Sequence, residues 1–219
     1  MRVLDKNYPS CIALAILYVF TSIWAIASKL INAFISNYVA TDKLSGMVLA
    51  FSSANLILKS VVALALGALL LTLAFSASGK NRTAFIFGAV GELITPIFNL
   101  SAYTLFVSVD LLRMMTLIVI PMGIIFTAVM TLLLAINRDN IPSVRAASAV
   151  TTAFILISAV SNAVSCFASF MLLSVDETYP FVRMLSISNT VNTFLTIIIG
   201  VLTALVFSLI YTTKKESVV

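Results

Sequence analysis

Six long apolar runs divide the chain, and little of its 219 residues lies outside them. A run of about 20 apolar residues crosses roughly 30 Å of hydrocarbon as an α-helix, so each one reads as a membrane span. The runs cover residues 11–35, 46–77, 83–108, 112–136, 145–174 and 185–211. They are continuous, whereas a membrane barrel is made of strands of about ten residues in which apolar and polar positions alternate. Hydrophobic residues make up 61% of the sequence and charged residues 10%, against about 25% charged in a typical soluble domain. The expectation is an all-α, polytopic membrane helix bundle with six transmembrane helices, forming one transmembrane domain over residues 1–219. The short connecting stretches leave no room for an extramembrane domain.

The basic residues predict the orientation. Arg2, Lys6, Lys80, Arg82, Arg138, Arg145, Lys214 and Lys215 fall at the two ends and in the second and fourth loops, while the other three loops hold Lys43, Arg113 and Arg183. Short cytoplasmic segments are enriched in lysine and arginine, so both termini are expected to be cytoplasmic, and the protein is expected in the plasma membrane. The first run continues past Ala27 and lacks a short apolar core with a small-residue cleavage site, so it reads as a retained helix. The net charge of +5 is explained by topology and contact with anionic headgroups. It implies the lipid bilayer as a partner and no nucleic acid.

Within this frame Glu92 stands apart. It is the one charged residue near the middle of a span, in Gly88-Ala89-Val90-Gly91-Glu92-Leu93-Ile94-Thr95-Pro96-Ile97-Phe98-Asn99. An ionisable group at that depth needs a partner or water, and by default it marks a ligand site, a pathway or a polar contact. Lys29 and Lys59 fall nearer the outer interface at about 1.5 Å of helix per residue, where snorkelling of their long stems accounts for them. A second role for either lysine is attraction of an anion. Asn32, Asn55, Asn99, Asn162, Asn189 and Asn192 all fall in the outer half of their spans, while the inner halves offer little polar chemistry. Unsatisfied amides in hydrocarbon are costly. Two arrangements account for the asymmetry: amide bonds between packed helices, or an outward-facing polar pocket with Glu92 near its floor.

Small residues at four-residue spacing, Ala149 and Ala153, Ala159 and Ala163, and Ser161, Ser165 and Ser169, allow close helix approach and predict that the fifth span is central. Pro96 and Pro121 each remove a backbone donor and predict bends. The second run is too long for a perpendicular crossing, which favours a short outer segment followed by a crossing helix from about Leu58. Cys11 and Cys166 fall at opposite faces, too far apart for a disulfide. Asn81-Arg82-Thr83 fits a glycosylation acceptor pattern but is expected on the cytoplasmic side, where it would go unused.

The chain contains no histidine, which removes the commonest general base and haem ligand, Ser-His and Cys-His pairs, and most transition-metal sites. Its eight acidic residues form no paired-carboxylate motif. The expectation is a protein that is not an enzyme and has no cofactor or metal site. Two functions fit. One is a solute-binding or transport component, with Glu92, Asn99, Lys59, Lys29, Asn162, Asn189 and Asn192 as candidate ligand-binding residues for a small solute or ion. The alternative is a non-catalytic accessory subunit of a larger membrane complex, in which Glu92 pairs with a basic group on a partner membrane subunit. The surroundings of Glu92 separate the two.

Overall fold

The computed structural model describes residues 8–38, 41–104, 109–174 and 179–216. These residues form six α-helices: α1 Tyr8–Tyr38, α2 Thr41–Ser76, α3 Gly79–Thr104, α4 Val109–Ile136, α5 Pro142–Ser174 and α6 Tyr179–Glu216. One helix forms over each apolar run. Four stretches are long and apolar enough to cross a membrane: Pro9–Ile35, Gly46–Ser76, Pro142–Ser169 and Pro180–Thr212. Among the described residues of α4 the apolar stretch is the shorter Pro121–Ile136. The described residues are thus all-helical, and the length and apolarity of four helices fit a membrane protein.

Side-chain distribution follows from that solvent. Ile16, Ile23 and Leu30 lie seven residues apart on one face of α1 and are 62%, 60% and 66% exposed. Comparable outward-facing apolar residues occur on every helix, including Ile57, Ile97, Ile125, Leu156 and Phe194. Apolar patches of this extent require lipid or protein cover. Several serines and threonines point inward instead. Ser22, Ser60, Thr131, Thr152 and Thr203 are buried, and several return their hydroxyl to a carbonyl one turn back, as Thr152 does to Ser148 at 2.8 Å and Thr203 to Ile199 at 2.7 Å.

The helices form a ring. Each packs against its neighbours in sequence, and α6 closes onto α1. At the end that holds the start of α1 and the end of α6, the middle of the ring is filled by Leu14, Tyr18, Leu66, Leu70, Phe85, Met130 and Phe207, with residues of α1, α2, α3, α4 and α6 meeting in one core. Phe207 stacks on Tyr18 at 5.9 Å and on Phe85 at 6.3 Å between ring centroids.

Two tight connections sit at this same end. Between α2 and α3 the chain turns through Ala77 and Ser78, and Gly79 adopts a φ of 56°, a conformation that costs a residue with a side chain roughly 1–2 kcal/mol. Between α4 and α5, Asn137 and Asn140 converge on Asn81 of the other turn. Asn137 Nδ2 and Asn140 Nδ2 both donate to Asn81 Oδ1, at 2.9 and 3.1 Å, and Asn81 Nδ2 donates to Asn140 Oδ1 at 3.0 Å. Asn140 Nδ2 also donates to the Leu134 carbonyl at 2.9 Å and Arg145 Nε to the Ala135 carbonyl at 3.2 Å, capping the end of α4. Asn81 thus joins two helix hairpins.

Two sequence expectations are corrected here. The second run is one uninterrupted helix of 36 residues, about 54 Å long, with no separate outer segment. The fifth helix is not central. It packs against α4 and α6, and Ala149, Ala153 and Ala163 are exposed, while Ser161 and Ser165 face α6. Pro96 and Pro121 both lie inside their helices, α3 and α4. The proline ring still leaves a carbonyl without its donor four residues back, and for Pro96 that carbonyl belongs to Glu92.

Candidate functional site

Towards the other end of the ring the core gives way to a cavity. It encloses about 390 Å³ and is lined by α1, α2 and α6, with Glu92 of α3 at its base. The base is built by close helix approaches. A Cβ on Gly67 of α2 would run into the Leu93 side chain, and one on Gly91 would meet the Gly123 carbonyl of α4 at 3.0 Å. These glycines bring α2 and α4 against the turn of α3 that carries Glu92. Gly200 does the same for α6 and α1. A Cβ there would collide with the Ser22 hydroxyl and stand 3.0 Å from the Tyr18 carbonyl.

Glu92 accepts a hydrogen bond on Oε1 from the Tyr18 hydroxyl at 3.0 Å. Tyr18 is held by its stack on Phe207, so a ring anchored in the apolar core delivers its polar tip to the carboxylate. One turn further on, Ser22 donates to the Tyr18 carbonyl at 3.0 Å and to the Ile197 carbonyl of α6 at 3.2 Å. Above this level the wall of α1 consists of Thr21, Trp24, Ala25, Ser28 and Lys29. Trp24 donates its indole N–H to Asn55 Oδ1 of α2 at 2.8 Å and stacks on Phe20. Leu58, Lys59, Val62, Ala63 and Leu66 form the wall of α2, and Asn192, Thr193 and Thr196 that of α6.

Behind α6 a polar seam braces the wall. Ser165 and Ser188 hydroxyls are 2.7 Å apart, and Asn192 Nδ2 donates to Ser165 Oγ at 3.3 Å. Asn162 Nδ2 donates to the Ser158 carbonyl at 2.8 Å, with a longer 3.4 Å contact to Asn192 Oδ1.

Of the residues singled out in the sequence, Glu92, Lys29, Lys59 and Asn192 come together around the cavity. Asn162 lies one layer back, where it supports Asn192. Asn189 is exposed and lies outside the cavity lining. The Asn99 side chain lies outside the described residues. The sequence reading did not single out Tyr18, Trp24 or Thr196, and it named Asn55 only as one of several outer-half amides. On α1 the signal was present: Tyr18, Thr21, Ser22, Ser28 and Lys29 recur on one face at helical spacing, a polar stripe in an otherwise apolar run.

Two lysines, one carboxylate and a mostly apolar wall thus border the same cavity. Its volume falls in the roughly 300–1,000 Å³ range of small-molecule sites. Among the described residues no group of three or more histidine, cysteine, aspartate or glutamate side chains could hold a metal ion. No protein-family model matches this sequence, and no curated protein or solved structure is detectably similar to it.

Proposed function

We propose that this protein is a solute-binding or transport component of the plasma membrane, with six spans, cytoplasmic termini and no catalysis of its own. In this reading the cavity opens outward, because the core-filled end holds the start of α1 and the end of α6 together with Lys80, Arg82, Arg138 and Arg145, and basic residues favour the cytoplasmic side. The α3 and α4 helices complete the six crossings, and lipid covers the apolar outer faces.

The observation that carries the proposal is the position of Glu92. Its carboxylate meets Tyr18 inside the ring and borders a cavity that also holds Lys29 and Lys59. An assembly contact with a neighbouring subunit would put the acid on an outer helix face, where another chain could reach it. A carboxylate set between helices beside a space of ligand size is costly to maintain for packing alone.

The experiment is purification in mild neutral detergent, with mass spectrometry of whatever accompanies the wild type and Glu92→Gln. A stoichiometric small molecule present with the wild type and lost from the variant supports the reading. Loss of a protein partner, with no small molecule in either sample, would assign Glu92 to assembly and the protein to an accessory role.

A further inference from the structure

The charges around the cavity are separated along its length. On α1, Lys29 lies 11 residues beyond Tyr18, about 16 Å of helix. On α2, Lys59 lies eight residues before Gly67, which abuts Leu93 beside Glu92, and eight residues span about 12 Å. These axial gaps of roughly 12–16 Å separate the two lysine positions from the level of the carboxylate. Between them the wall is mostly apolar, with Trp24, Ala25, Leu58, Val62 and Ala63 on α1 and α2, and polar groups on α1 (Thr21, Ser28) and α6 (Asn192, Thr193, Thr196). Among the described residues Glu92 is the only acid lining the cavity.

Each end has its own preference. Two lysines sharing one compartment repel, and an anion placed between them relieves that repulsion while accepting charge-assisted hydrogen bonds. The base offers the carboxylate oxygens of Glu92 as acceptors. Such a base suits an ammonium group. A molecule whose charges are adjacent cannot reach both ends.

We propose, resting on the solute-binding reading above, that the ligand is a small zwitterion with its charges held apart. Its carboxylate or similar anion lies between Lys29 and Lys59, its ammonium lies at Glu92, and a short apolar chain runs along Trp24 and Val62.

Trp24 is the single tryptophan of the chain and lines the cavity, so its fluorescence reports occupancy. The probes are ω-amino acids from glycine through γ-aminobutyrate and ε-aminocaproate to ω-aminooctanoate, with the matching alkyl monocarboxylates and monoamines, titrated into protein in neutral detergent. Expected is saturable binding with an optimum at intermediate chain length, about tenfold or more tighter than either one-ended analogue. Glu92→Gln should abolish the preference for the amino acid over the monocarboxylate. The double variant Lys29→Gln, Lys59→Gln should abolish its preference over the monoamine. Each variant's fold is checked by retained binding of the one-ended probe that uses its intact end. Binding of one-ended probes as tightly as ω-amino acids, or affinity indifferent to chain length, overturns the zwitterion class and leaves solute binding standing. No saturable response, together with failure of neutral acrylamide to quench Trp24, means a closed cavity and overturns both.

Discussion

A carboxylate between helices in so apolar a chain is tolerated where donors or water reach it, and the Tyr18 hydroxyl at 3.0 Å supplies one donor to Glu92. Glutamine at position 92 keeps an acceptor for that hydroxyl and removes the charge. Glu92→Gln should therefore fold like the wild type, with thermal midpoint in detergent little changed, and lose its preference for a ligand that carries an ammonium group. Tyr18→Phe tests the other half of the contact. It keeps the stack on Phe207 and removes the donor, and is expected to destabilise by about 1–2 kcal/mol, as for a part-buried hydrogen bond to a carboxylate. Reversible unfolding in mixed detergent micelles measures this, and an unchanged midpoint would show that water already serves Glu92. The sequence made Glu92 conspicuous because charge is rare in a span. It left Tyr18 and Trp24 unmarked because an aromatic residue in an apolar run looks the same whether it packs in a core or lines a cavity. Only the fold, by stacking Tyr18 on Phe207 and aiming its hydroxyl across to α3, distinguishes them.

At the scale of helices, closeness of approach decides what a substitution costs. Gly200 faces the Tyr18 carbonyl and Ser22 of α1, so a methyl group there must push two backbones apart. Gly200→Ala is expected to destabilise by about 1–3 kcal/mol and to widen the cavity wall. Gly46→Ala, with nothing within 4 Å of the new methyl, should be neutral or slightly stabilising. Equal midpoints for the two in the same unfolding assay would refute the proposed α1–α6 contact. At the filled end, Asn140 exchanges hydrogen bonds with Asn81 and caps Leu134. Asn140→Ala should cost about 1–3 kcal/mol while leaving ligand affinity unchanged, since the cluster is remote from the cavity. A parallel loss of affinity would contradict that separation. Hydropathy located all six helices because length and apolarity are local properties. It misjudged how they meet. Small residues recur along α5, yet Ala149, Ala153 and Ala163 face outward while Ser161 and Ser165 face α6, because spacing gives a face without saying what lies opposite. The length of the second run suggested a break that α2 does not have.

For the whole molecule, the ring has one end filled by aromatic and aliphatic side chains and a cavity towards the other. The amide asymmetry in the sequence was compatible with packing or with a pocket, and the structure contains both: a serine and asparagine seam between α5 and α6, and a cavity on the far side of Asn192. Sequence could not divide them, because a polar group bonded to a neighbouring helix and one bordering a cavity occupy the same depth. The proposed orientation places the turns bearing Lys80 and Arg138 inside and Arg183 outside. Single cysteines at these positions, in a background lacking Cys11 and Cys166, should be labelled accordingly in intact and inverted vesicles, and the reverse pattern would invert the topology. The most direct test of the outward-facing cavity uses the same background with cysteine at Thr21 or Thr196 on the cavity wall and at Ile16 on the apolar outer face. Labelling of the two wall positions in intact cells by a membrane-impermeant maleimide, with Ile16→Cys unlabelled, is the result expected of a hydrated cavity open to the outside. Wall positions that stay unlabelled from outside, or react only in inverted vesicles, would contradict it.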